Sequence, residues 1–209
     1  MKLFSLILTL FLMGCSSLLT SNENVQFFYV LNPIGEVVEV ARPASVRLGV
    51  QRPVIPAWLD TDHIMLRRAQ NQVDFYAGAR WIENAGDMLG AVILQSLENN
   101  KVARDISYSG QETNTDYLLV VEVIGFQADY QSNEHPPVVE VALQVKLVSM
   151  PDNTIHSRFT IRHQVLAQKN QLRDIIKAFD AAVEESMIDL VEYTIIHLSS
   201  RERSPRSGG

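Results

Sequence analysis

The chain has 209 residues, with 18 lysines and arginines against 24 acids and a single cysteine. The acidic balance argues against a nucleic-acid binder, and one cysteine excludes an internal disulfide. The length suits one domain with a sizeable core better than two.

Lys2 is followed by eleven mostly apolar residues, Leu3 to Met13. This run is too short for a membrane span, which needs about 20 such residues, but it has the charged start and short greasy stretch of a secretory signal. It ends in Leu12-Met13-Gly14-Cys15, which resembles the bacterial lipobox. That resemblance implies cleavage between Gly14 and Cys15, with a diacylglycerol thioether on the Cys15 sulfur and an acyl chain on its new amine. Several acyl chains hold a protein on a membrane where one would let it go. In such lipoproteins a residue other than Asp after the cysteine, here Ser16, implies the periplasmic face of the outer membrane. Removing residues 1–14 takes Lys2 away, leaving 17 basic residues against 24 acidic ones, a net charge of −7.

Residues 15–24 read as the lipidated cysteine and a polar tether. From Val25 the strand formers "VQFFYVL" begin and stop at Asn32-Pro33. Val46 to Val50 gives a second strand. Pro53 and Pro56 forbid an uninterrupted ladder in "QRPVIPAWLD", and Ile64–Arg68 with Gln72–Tyr76 reads as a hairpin. The period then changes. Trp81, Ala85, Met88, Leu89, Val92, Ile93 and Leu97 fall on one helical face, with Asn84 placed to cap the helix, Asp87 in its first turn and Asn99-Asn100 to stop it. Gly86 and Gly90 form a GxxxG that lets this helix approach a sheet or another helix closely; Glu83 and Asp87 beside it exclude a bilayer setting.

Tyr117–Tyr130 reads as a central strand apolar on both faces, with a bulge or bend at Gly125. Val139 to Leu147 and Ile155 to Val165 alternate as an antiparallel hairpin, each strand with one buried and one wet face. A last helix, from about Gln171 to Leu198, puts Leu172, Ile175, Ile176, Phe179, Val183, Met187, Leu190 and Leu198 inward. Residues 199–209 read as a disordered tail. The fold expected over 25–198 is therefore a single domain of α/β class in α+β order, a mixed β-sheet packed by two main helices.

Chemistry is sparse. Motifs of nucleophile elbows, zinc proteases, P-loops and dinucleotide folds are missing, so no catalytic residue, metal or cofactor is expected. His156 and His163, seven apart on one strand, should face opposite ways and so cannot share a metal. Asp60 and Asp62 lack the glycine and glutamate that would complete a calcium loop and read as loop carboxylates. Glu122, inside an apolar strand, should pair with a base or lie near a sheet edge. The apolar set Val54, Ile55, Trp58 and Leu59, in a loop that proline keeps stiff, is the favoured docking element, the alternative being that it folds back into the core.

The lipobox, "FFYVL", "VRLGVQRPVIPAWLDTDHIMLRR", "NQVDFYAGARWIENAGDMLGAVILQSL" and "DYLLVVEVIGFQADY" together resemble the ABC-type transport auxiliary lipoproteins, whose familiar branch is the paraquat-inducible protein C group. The resemblance spans roughly Val25 to Leu198 and is most specific at Pro53–Asp60 and Arg80-Trp81. It departs at Asn84-Ala85, where many relatives carry a proline, and in a longer last helix. It implies a fold like the N-terminal domain of TolB, which is anticodon-binding-domain-like. It also implies a non-enzymatic outer-membrane lipoprotein of a lipid transport system with a permease, an ATPase and a periplasmic mammalian-cell-entry (MCE) domain protein as partner. Homo-oligomerisation is left open. The alternative is an envelope assembly or secretion-pilot lipoprotein that binds an outer-membrane pore.

Overall fold

The computed structural model describes residues 26–37, 43–69, 72–109, 114–132 and 135–202. Gly14, Cys15, the signal and the tether lie outside the described residues. Eight strands and two helices follow in the order β1 (Phe27–Tyr29), β2 (Ala44–Val50), β3 (His63–Arg68), β4 (Gln72–Trp81), α1 (Ala85–Asn99), β5 (Ala103–Tyr108), β6 (Tyr117–Asp129), β7 (Val138–Ser149), β8 (Thr154–Leu166) and α2 (Leu172–Glu202). All eight strands join one mixed sheet.

Strand β6 organises that sheet. One of its edges takes β7 antiparallel along nearly its whole length, and β8 extends this hairpin. The other edge is shared: β2 runs parallel at Leu118 and Leu119, and β3 runs parallel at Ala128 and Asp129. Strand β5 flanks β2, while β4 and then β1 continue outward from β3. Leu119, Val121 and Val123 of β6 and Val141, Leu143, Val145 and Leu147 of β7 are fully buried. Both helices cover that face, touching each other, with α2 lying across β7, β8 and β2. At the centre Trp81, Phe126 and Phe179 pack with ring centroids 5.2–5.6 Å apart.

Several expectations are corrected. Trp81 ends β4 instead of starting the helix: β4 continues past a bulge at Gly78, whose φ is 73°, because β1 and β3 both pair with its end. Trp81 matched the helical period because a strand end and a helix face converge on one core. Strand β5, with Arg104 and Asp105 exposed, has too little alternation to be seen in the sequence; it forms as a parallel edge to β2. Leu118 and Val120 are only half-buried and Ile124 is exposed, so β6 is covered on one side until the bulge at Gly125. Conversely, the face of β7 expected to be wet is dry at Glu140 and Ala142, since Arg162 and Gln164 fold over Glu140 and bond it at 2.6 and 2.7 Å. Helix α2 runs to Glu202 instead of Leu198, because no glycine or proline interrupts it before Pro205.

His156 and His163 are on the same side of β8, not on opposite sides. The ladder skips His156, pairing Ser157 with Leu147 and Ile155 with Val148, and the extra residue resets the alternation. His163 binds Asp189 and Glu185 of α2 at 2.8 and 2.9 Å, whereas His156 meets His197 near that helix's end. Glu122 is half-exposed and pairs with Lys146 at 3.8 Å.

Candidate partner-binding surface

After β2 the chain continues beside β6, the Gln51 amide donating to the Leu119 carbonyl at 3.0 Å. The Val54 amide donates to the Val121 carbonyl, and the Val123 amide donates back to the Val54 carbonyl, both at 2.8 Å. This single parallel bridge fills the gap that β2 and β3 leave along the edge of β6. Pro53 supplies no amide and instead lies against α1, where a Cβ on Gly90 would approach its Cδ to 3.1 Å. The GxxxG therefore admits a loop rather than a sheet or a second helix.

A tight turn follows, with the Leu59 and Asp60 amides donating to the Pro56 carbonyl at 2.8 and 3.0 Å. The turn points neighbouring side chains in opposite directions. Leu59 is completely buried, whereas Trp58 is 42 % and Val54 50 % exposed; Ile55 is half-buried against the core. Of the four apolar residues expected to form a docking set, Leu59 is thus a core residue that fastens the loop. Trp58 and Val54 are the outward pair.

Charges fasten the loop from the other side. Arg52 donates through Nε to Asp87 at 2.6 Å and through Nη2 to both oxygens of Asp60 at 3.1 Å. Asp60 in turn accepts the Gly86 amide at 3.2 Å, and the Thr61 carbonyl accepts the Ala85 amide at 3.1 Å. Asn84 occupies the N-cap position but makes no side-chain cap bond. Helix α1 is capped instead by the loop, whose acid and carbonyl satisfy its first free amides. Gly86 has no side-chain substitute here: a Cβ would come within 2.8 Å of Asp60 Oδ1 and Arg52 Nη2. Asp62 closes the segment with a 2.8 Å pair to Arg80. Sequence reasoning gave Asp60 and Asp62 as loop carboxylates, but Arg52 carried no signal; its partners lie 8 and 35 residues away.

The Arg52 guanidinium holds the Asp87 carboxyl below its ordinary value, and Arg80 does the same for Asp62. A depressed folded value stabilises above the unfolded value of 3.8 and is lost as pH falls through the folded one. Because Arg52 and Asp87 are both about half exposed, solvent limits their pair to about 0.2–1 kcal/mol. Arg52→Gln is expected to lower the unfolding free energy by that amount at neutral pH and to converge with the parent as pH falls through the folded Asp87 value. Urea denaturation at neutral and at acid pH measures it.

A separate cavity of about 430 Å³ is lined by Arg67, Arg68, Asp129, Tyr130 and Gln164 among others. Its arginines are engaged, Arg67 by Asp129 at 2.7 Å and Arg68 by Asp74 at 3.5 Å. Among the described residues no group of three or more His, Cys, Asp or Glu could hold a metal ion.

The model of the family described as the ABC-type transport auxiliary lipoprotein component matches residues 29–189, well over half of the chain. The chain belongs to this family. No curated protein matches this auxiliary lipoprotein. Among solved structures, a Xanthomonas campestris protein of the family DUF330 is similar over 85 % of this chain and 99 % of its own, with 22 % identity and a TM-score of 0.77. An uncharacterised protein is similar over 81 % of this chain and 98 % of its own, with 14 % identity and a TM-score of 0.62. Both likenesses show the fold: a mixed sheet with two helices in one domain. No helix among the described residues of the auxiliary lipoprotein is long and apolar enough to cross a membrane.

Proposed function

We propose that this auxiliary lipoprotein is a non-enzymatic subunit of an ABC lipid transport system. It is anchored through Cys15 in the periplasmic leaflet of the outer membrane, where it docks a periplasmic MCE-domain protein. The observation that carries the docking role is the outward pair Trp58 and Val54 on a loop held at every turn: by the bridge to β6, by the buried Leu59 and by the Arg52–Asp60–Asp87 cluster. Exposed tryptophan on a rigid frame is the composition of an interface anchor, because little side-chain or loop freedom is lost on binding. The family membership supports the transport role.

A photo-crosslinking residue at position 58, introduced into the full chain in its own envelope, tests this. The expected adduct is an MCE-domain protein, lost when Val54 is changed to Asp. An adduct with an outer-membrane pore protein would replace this reading by the assembly or pilot alternative, and crosslinks confined to lipid would remove the docking role of the loop.

A further inference from the structure

Strand register gathers a second apolar surface from β1, β3 and β4, on the sheet face that the helices leave open. Phe28 of β1 lies beside Arg80 of β4, which lies beside His63 of β3. Two residues further along β3, Met65 pairs with Phe75, and two further Arg67 pairs with Val73. A step of two keeps side chains on one face, so Phe28, His63, Phe75 and Val73 share it, and the His63 and Phe75 rings meet edge-on at 4.4 Å. Val30 and Ile82 follow at the strand ends, where the Ile82 amide donates to the Tyr29 carbonyl. Phe28, Val30, Val73, Phe75 and Ile82 are 44–58 % exposed. Isolated surface hydrophobes need no explanation, but five together on one face do.

The two arginines on this face bring no net charge, since Arg80 is bound by Asp62 and Arg67 by Asp129. The surface is therefore apolar and electrically balanced. A nucleic acid or an acidic partner would find no excess of cations there, whereas a bilayer requires none.

The length of chain before β1 identifies the occupant. Eleven residues, 16–26, separate Cys15 from Phe27. Fully extended they reach about 40 Å; as a flexible coil they average about 20 Å. Strand β1 is thus the part of the fold held nearest a lipid on Cys15. At such a distance a tethered surface meets the bilayer at a high effective concentration, so a modest apolar seat suffices.

We propose that this face, Phe28, Val30, Ile82, Phe75 and Val73, rests in the headgroup and acyl boundary of the bilayer, orienting the domain on the membrane that anchors it. This rests on the lipid anchor at Cys15. The seat leaves the α2 side facing away from the bilayer, since the helices pack on the other face of the sheet.

The test uses the mature full-length chain with its own lipid, in phosphatidylcholine vesicles containing chain-nitroxide lipid. Lipidated Cys15 has no free thiol, so a polarity-sensitive thiol dye can be placed singly by Phe28→Cys, Val30→Cys or Phe75→Cys, with Glu192→Cys on the exposed side of α2 as reference. The dye at 28, 30 and 75 is expected to shift to the blue and to be quenched several-fold, unchanged by added salt; at 192 neither change is expected. Vesicle-bound protein whose labels at 28, 30 and 75 behave like that at 192 would overturn the seat and leave the anchor intact. Dye self-quenching at position 28 in detergent without vesicles would overturn it in favour of a contact between copies. A parent chain that accepts dye and fails to float with vesicles would locate the failure in the anchor itself, and the seat would fall with it.

Discussion

Cys15→Ser is expected to move the protein from the membrane fraction to the soluble periplasm, with roughly a tenfold or greater loss of membrane-bound chain. In the proposed anchor the thioether and the amide that would carry the acyl chains both depend on that cysteine, since only a thiolate gives the sulfur nucleophile the thioether needs. Each buried methylene contributes about 0.8 kcal/mol, so one chain binds reversibly and two or more hold. The apolar face at β1 is a seat, not an anchor, and five half-exposed side chains without the lipid should not retain the protein. Palmitate labelling together with flotation reads the result, and a Cys15→Ser chain that still floats would sink the anchor reading. Ser16→Asp separately tests the address: the lipid should remain, with the protein held at the inner membrane.

The second large effect separates two adjacent residues. Leu59→Ala should lower stability by about 2–5 kcal/mol, because a fully buried leucine leaves a cavity that its surroundings only partly close. Trp58→Ala should change stability by less than about 1 kcal/mol, since much of its ring already meets solvent. Its cost should fall on partner capture instead, at about 2 kcal/mol or more if Trp58 is a central anchor. Melting curves and partner affinity measured on both single variants decide the matter. A large drop in melting temperature for Trp58→Ala would remove it from the docking surface, and an unchanged melt for Leu59→Ala would contradict the turn that buries it.

By itself the sequence determined what local periodicity encodes. The inward stripe of α2, from Ile175 through Phe179, Val183 and Met187 to Leu198, is buried as its spacing predicts, since each residue's direction follows from 3.6 residues per turn alone. The β7–β8 hairpin and the Gly125 bulge were legible for the same reason, as was the family, whose motifs are short and contiguous. The docking loop was legible only in part: its composition marked it as apolar and stiff, but not which side chains face out. Only the tertiary structure decided that Leu59 turns inward and Trp58 outward, that Arg52 joins Asp60 to Asp87, and that Asp60 caps α1 in place of Asn84. It also reset His156 by one bulged residue and assembled Phe28 of β1 with Phe75 and Ile82, from within and just past β4, onto one face. These are pairings between distant parts of the chain, and their outcome depends on strand register, where a shift of one residue sends every following side chain to the other face.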